Sequence, residues 1–437
     1  MYINHESPHS SSININIHRL GTKEKKQSGK TKCVFSTSSL ASTTLATTLP
    51  LTRRAPTSST ASRLKATKYG TIFDVPATIG KQTFQLLVDT GSSDTYVMQT
   101  GFICIDEDTN STIPEAECLY SNHTYNPDYS DTYRRVEDQY FGIKYGAGIA
   151  SGDLAYETVS LGGLTVKNQK VGIAQRTNPM GDGVNSGLLG LAYPSITSAH
   201  PGNASSSDNS TCFFNRKVYN PLLYHMHQQG VLKEPYFSLA LASTPQNDST
   251  AFGGYLSLGE LPPVKHSDQW ATVPVEIYRT IPVEFTSGNR TRFWWTTTVQ
   301  SVRYGPKSAN KGNSTAFQTF VDSGNNISYL PAAVVDSVNA LFDPPATFDD
   351  SSKLYVVNCN AKAPLFGLQL GNQTFYHNPA DLIQKVDDDL CVSSLAASED
   401  ARVGDITVSI LGVSFLKSVI AVFDFGKDEM RFAKRLN

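Results

Sequence analysis

Charge is scarce in this sequence. Asp, Glu, Lys and Arg make up 17% of its 437 residues, against roughly 25% in a typical soluble domain. Long apolar runs are missing as well. None reaches the roughly 18 residues that a membrane-spanning helix needs. No heptads run on and no Gly-X-Y period appears, so a helical membrane bundle, a coiled coil and a collagen are all excluded. Six Cys cannot hold together a disulfide-built miniprotein of this length, though they suffice for a few clips. Two catalytic signatures are absent: no His-Glu-x-x-His zinc helix and no Gly-x-Ser-x-Gly elbow. What abounds is hydroxyl: 46 Ser and 40 Thr, or 86 of 437 residues. The length fits two or three units, or one large bilobed one.

The net charge of −2 is a cancellation. Residues 1–67 hold ten basic side chains against Glu6 and Glu24, a net of +8, which leaves −2 − 8 = −10 for the rest. The acidic remainder lacks the basic stripe that a nucleic-acid surface requires. The first 67 residues are rich in Ser, Thr and Lys and poor in large apolar residues. Such a segment buries too little to offset its ordering entropy, and is expected to be a disordered leader or propeptide; Arg53-Arg54 reads either as a dibasic processing site or as two chance basic residues in a basic tail. No apolar signal core follows Met1. Secretion is nevertheless the expectation, with vacuolar delivery as the other route. Nine Asn-x-Ser/Thr sequons stand at Asn110, Asn122, Asn203, Asn209, Asn247, Asn289, Asn313, Asn326 and Asn372. Cys104/Cys118 and Cys359/Cys391 are spaced as pairs that close local loops, which leaves Cys33 and Cys212 over. That compartment would require an N-terminus that is unconventional or differs from this one.

From Tyr69 onward the pattern becomes one of short apolar or alternating runs between Gly, Asn, Asp and Ser clusters. Examples are Thr71–Ala77, Thr83–Asp89, Thr95–Gln99, Tyr140–Tyr145 and Ala421–Phe425. The body is therefore all-β. Only Val218–Gln229, stopped by Gly230, and Ala332–Phe342, opened by Pro331, read as helices. The body is also internally repeated. Residues 84–97 read FQLLVDTGSSDTYV and residues 317–330 read FQTFVDSGNNISYL. Phe, Gln, Val, Asp, Gly and Tyr coincide at a constant offset of 233. Leu189-Gly190-Leu191 follows the first copy and Leu411-Gly412-Val413 the second, in the same order and at similar spacing. Two lobes built on one plan follow, assigned to residues 68–263 and 264–437.

Each copy delivers an Asp on an apolar strand and turns at a Gly that lets backbone N–H groups approach the carboxylate. Thr90 and Ser323 can tie the two loops to each other's backbone. A pseudo-twofold axis would then bring Asp89 and Asp322 face to face. Two carboxyls in contact share a proton, because both cannot ionise cheaply. A water between them meets a base on one side and an acid on the other, which is the equipment for adding water to an amide without metal or cofactor. A lone Asp-Thr-Gly is an ordinary turn; two in duplicated contexts are not. His225 and His227 sit one residue apart on an expected helix and point to different faces, so no metal site is assigned. Trp294-Trp295 reads as one core-facing and one outward ring on a strand. Gly146-Ala147-Gly148 lacks the third Gly and the helix of a dinucleotide fingerprint.

These residues resemble the pepsin-like aspartic proteases across about residues 69–437. The likeness is carried by VDTGSSDTYV (88–97), IKYGAGIASGDLAYETVSLGG (143–163), GLLGLAYPSI (187–196), VDSGNNISYLP (321–331) and ILGVSFLKSVIAVFDF (410–425). The resemblance implies a bilobed acid-protease fold with two β-barrel-like lobes and an acid endopeptidase that cleaves extended polypeptides. It implies catalytic Asp89 and Asp322, supported by Thr90, Gly91, Ser92, Ser323, Gly324 and Asn325. It also implies a flap carrying Tyr145, Gly146 and Ala147, and a monomer without membrane anchor. Three positions depart from the family pattern. Asn325 replaces a Ser or Thr, Tyr96 replaces the Trp behind the flap Tyr, and Ala147 replaces a polar flap-tip residue. An alternative is a catalytically silent secreted protein that binds peptide or protein on the same fold. Asn325 and Ala147 support it and the retained Asp pair opposes it. Asn326, beside the second turn, is expected to carry no glycan.

Overall fold

The structure, a computed structural model, describes residues 60–106, 108–146, 148–202, 215–243, 250–403 and 405–436. Residues 1–59, Ala147, Cys212 and the sequons at Asn203, Asn209 and Asn247 lie outside the described residues. The strands that matter for the site are β1 (Ala61–Thr67), β2 (Ile72–Ile79), β3 (Gln82–Asp89), β4 (Thr95–Ile105), β5 (Arg134–Tyr145), β6 (Gly148–Leu161), β7 (Leu164–Thr177) and β8 (Gly187–Gly190). They are followed by β9 (Tyr236–Leu241), β10 (Ala251–Leu258), β11 (Phe317–Val321), β12 (Ser328–Leu330), β13 (Ile410–Leu411), β14 (Val419–Asp424) and β15 (Glu429–Arg435). The two helices expected from sequence are present but shorter, as α1 (Leu222–Gln228) and α2 (Ala332–Asn339).

β1 corrects the boundary of the tail. Leu64 and Ala66 are buried while Arg63 is exposed, the alternation of a half-buried strand. The strand pairs antiparallel with β10 from Ala61↔Ser257 and with β2 from Lys65↔Asp74. The polar composition of the longer segment concealed a seven-residue element at its end.

One sheet of fifteen strands runs β5-β6-β7-β4-β8-β3-β2-β1-β10-β9-β14-β15 and on to His266–Pro274. Its β9–β14 step, Tyr236↔Asp424 to Leu239↔Ala421, joins the N-terminal lobe to the C-terminal hairpin. Phe237 stacks on Phe423 across that step at 4.8 Å, and Trp295 packs edge-on against both. The remaining sheets of five, four, four and two strands build the C-terminal lobe.

The duplicated plan recurs in the pairing. β3 runs parallel to β8 with Asp89 opposite Gly190, and β4 is antiparallel to β8. β11 runs parallel to β13 with Val321 opposite Leu411, and β12 is antiparallel to β13. In each lobe the Leu-Gly strand is thus inserted between the strand before the Asp loop and the strand after it. β5, β6 and β7 are longer than their short apolar segments suggest, at 12, 14 and 14 residues. Bulges at Ser151/Gly152 and Glu157/Val159 interrupt the β6–β7 register and break the strict alternation that marks a strand in sequence. Both expected disulfides are formed, Cys104–Cys118 and Cys359–Cys391.

Candidate active site

Asp89 ends β3, and Asp322 follows β11 directly. Each carboxyl accepts a backbone N–H from the glycine two residues on: Gly91 to Asp89 Oδ1 at 2.7 Å and Gly324 to Asp322 Oδ1 at 2.9 Å. Those glycines are also where the loops meet. A Cβ on Gly91 would stand 2.6 Å from Asp322 Oδ2, and one on Gly324 would stand 2.6 Å from Asp89 Oδ1. Any side chain there would force the pair apart.

The loops are cross-tied reciprocally. Thr90 N–H donates to Ser323 Oγ at 3.1 Å, and Ser323 N–H donates to Thr90 Oγ1 at 2.9 Å. The Thr90 hydroxyl donates to Val321 O at 2.8 Å, and the Ser323 hydroxyl donates to Val88 O at 2.7 Å. All four bonds are buried, so each is expensive to leave unmade. Together they fix the separation of the two carboxyls.

The symmetry ends at the outer oxygens. The Ser92 hydroxyl donates to Asp89 Oδ2. Asn325, at the matching position, turns its Oδ1 to the N–H of Ile327 at 3.3 Å, and among the described residues no side-chain bond runs from it to Asp322. Burial raises both carboxyls. Ser92, Gly91 and the backbone of Ser92 pull Asp89 back, whereas the charge of Asp89 drives Asp322 up further, well above the usual carboxylate range. The pair is thus unevenly supported, Asp89 being the better stabilised as an anion, and two carboxyls this close share a proton.

Tyr145 closes β5 at the tip of the β5–β6 hairpin. Its hydroxyl is buried beside Ser92, forms no well-aligned hydrogen bond, and is pushed up by burial and then by the charge of Asp89. Gly146 forms the turn after it. Gly148 reopens the chain at φ +139°, where a Cβ would meet Asn178 at 2.8 Å. Asn178 holds the base of this hairpin: its Oδ1 accepts from Ile149 N–H at 2.8 Å and its Nδ2 donates to Ile105 O at 2.8 Å. Behind Tyr145 lie Tyr96, which is buried, and Tyr120, which is half-buried.

Sequence reasoning missed several residues that position the site. The Trp294-Trp295 expectation is corrected, for both rings are buried. Trp294 Nε1 donates to Gly91 O and Trp295 Nε1 to Leu191 O, each at 2.9 Å. Both tie the C-terminal lobe to the neighbourhood of the first Asp loop. The WW dipeptide precedes a strand rather than lying in one, so alternation did not apply. Asp94 is also buried, accepting from Tyr219 Oη at 2.6 Å and Ser198 N–H at 2.8 Å. Three steps past the Asp-Thr-Gly turn, it had no periodic signal to mark it. His225 and His227 go to separate partners, Gln169 and Leu232 O.

Similarity to known proteins gives the family. Residues 74–435 match the family model described as eukaryotic aspartyl protease. The chain belongs to this family, the pepsin-like aspartic endopeptidases. It is 37% identical over 372 residues to a probable aspartic-type endopeptidase of Aspergillus fumigatus, covering 83% of this chain and 79% of the relative. Rhizopuspepsin of Rhizopus chinensis is 28% identical over 362 residues, covering 82% and 76%. The crystal structure of an aspartic proteinase from Irpex lacteus superimposes with a TM-score of 0.60 at 20% identity, covering 86% of this chain and 97% of that one. That likeness speaks for the bilobed fold.

Proposed function

We propose that this endopeptidase hydrolyses extended polypeptides with a water held between Asp89 and Asp322. Asp89 takes the water's proton while Asp322 gives its own to the carbonyl oxygen of the scissile amide, and no covalent intermediate is needed. The observation that carries this reading is the uneven support of two carboxyls in reciprocally tied loops, which puts one proton on the pair. Tyr145 and Gly146 close over an extended substrate, exclude water and offer the hairpin edge to its backbone. The chain works as a secreted or vacuolar monomer after loss of a basic leader that ends before β1, and Asn326 carries no glycan. No helix among the described residues is long and apolar enough to cross a membrane.

The deciding experiment uses protein beginning near residue 55 and a denatured protein substrate across pH 3–7. Turnover confined to the acid side is expected. Asp89→Asn should cost at least about a thousandfold in kcat with an unchanged melting temperature, since it removes the general base. Turnover insensitive to that substitution refutes the mechanism. Binding of a transition-state mimic with no turnover by the wild type points to the silent binding protein instead.

A further inference from the structure

A cavity of about 150 Å³ opens between the Tyr69–Thr71 turn of the N-terminal lobe and the 380–385 and 413–417 segments of the C-terminal lobe. Its wall includes Asn326, four residues past Asp322, and two lysines, Lys385 and Lys417, against one carboxylate, Asp381. Four residues of chain span at most about 14 Å. Asn326 thus lies within about 14 Å of Asp322, a span that four residues of extended peptide cover at roughly 3.3 Å per residue.

Two features distinguish this space from a packing defect. The first is Lys417, whose side chain is only 9% exposed and whose carboxylate neighbour, Asp381 Oδ1, stands 3.6 Å away. The other Asp381 oxygen accepts from the Ser243 hydroxyl at 2.6 Å. An ammonium carries three donors, and one long ion pair compensates a buried charge poorly. A further acceptor in the cavity would complete it. The second is Lys385, 15% exposed, with its Nζ 4.7 Å from the centre of the Tyr69 ring. Its ion-pair partner, Asp388 at 3.3 Å, is 85% exposed, and a pair with so solvated a carboxylate binds weakly. One edge of the wall is the hairpin turn between β1 and β2, which brings Tyr69 and Thr71 to the cavity. Lys68 and Tyr69 adopt φ of 47° and 58°, the two positive angles that a two-residue hairpin turn calls for. The turn is braced by the Thr71 hydroxyl on Lys68 O at 2.7 Å. The volume equals about five waters at roughly 30 Å³ each, enough for a carboxylate side chain. Gln384 and Ser414 add polar groups to the wall.

We propose that this cavity is a substrate subsite for an acidic side chain, held by Lys417 and Lys385, so that the enzyme selects Asp or Glu within about four residues of the scissile bond. The inference rests on the endopeptidase reading above. It deepens that reading by naming a charge the substrate carries outside the bond that is cut. Because the side chain must be ionised, and a free Glu has a pKa near about 4.3, the selection strengthens as pH rises from 3 to 5.

The test is a peptide series with a fixed apolar pair at the scissile bond. Glu or Gln is scanned through the four positions on either side, and kcat/KM is measured at pH 3 and pH 5. At one position Glu should exceed Gln by about fivefold or more at pH 5, through KM, with the ratio falling toward one at pH 3. Lys417→Met and Lys385→Gln should each shrink the ratio at that position. If Lys417→Met does not fold, the Lys385→Gln series decides alone. Equal rates for Glu and Gln at every position at pH 5 overturn the subsite while cleavage itself shows the dyad at work. Failure to cleave either series or denatured protein overturns the endopeptidase reading, and the subsite with it.

Discussion

Asp322 is the less supported of the two carboxyls, and one side chain accounts for the difference. Ser92 donates to Asp89, but Asn325 spends its carbonyl on the backbone of Ile327. The substitution at 325 was legible in sequence. The direction the amide takes was not, because that is set by the local turn and not by residue type. Asn325→Ser should restore a hydroxyl to Asp322. A bond to the ionised form stabilises it, so the Asp322 pKa falls and the basic limb of kcat/KM against pH moves to lower pH. A hydrogen bond to a charged group contributes about 1.5–3 kcal/mol, which corresponds to a displacement of roughly one pH unit or somewhat more. A pH–rate profile of the variant checks it. A basic limb that stays in place would mean that Asp322 does not govern that limb.

Among the elements, β1 shows most clearly what composition hides. Fold class, the two repeats and the strands carrying each Asp were visible because apolar alternation and an offset of 233 are strong signals. β1 was not, because Arg63 and Lys65 belong to its outward face and resemble the basic segment before it. The long flap strands were shortened in the same way by their bulges. The Trp pair was misjudged because indole partners come from the other lobe, far away in sequence. β1 lies between β2 and β10, so its loss would bare the edges of both and take the buried Leu64 and Ala66 out of the core. Burying one Leu contributes about 1.5–3 kcal/mol, before the lost ladder bonds are counted. Protein starting near residue 55 should therefore melt cooperatively at a temperature at least about 5 °C above protein starting at Lys68, if the shorter form folds at all. Equal melting curves would show that β1 is dispensable.

At the scale of the molecule, two buried groups pull stability in opposite directions along the pH axis. Asp74 in β2 is fully buried and neither oxygen has a well-formed partner. Burial and then the charge of Asp182 raise its pKa well above 3.8, with Asn185 and Lys65 opposing weakly. Asp182 is itself engaged by Thr67 Oγ1 and by the N–H groups of Val184 and Asn185. The folded state keeps a proton on Asp74 that the unfolded chain releases above pH 3.8, so stability is lost as pH rises from there toward the raised value. His377 does the reverse. It is 2% exposed between the rings of Phe366 and Phe415, and burial lowers its pKa from 6.5 to about 4. The unfolded chain takes up this proton first, so stability is lost as pH falls from 6.5 to about 4 and no further below. That difference corresponds to about 3 kcal/mol at most. His377→Phe keeps a ring between two rings and removes the titration, so its gain over wild type should be larger at pH 3.5 than at pH 7. Asp74→Asn keeps the shape without the charge, so its gain should be larger at pH 7 than at pH 3.5. Melting temperatures of the three proteins at both pH values decide the matter. Variants that shift stability equally at the two pH values would assign these residues to packing alone, with no part for proton uptake at Asp74 or His377 in the pH dependence of stability.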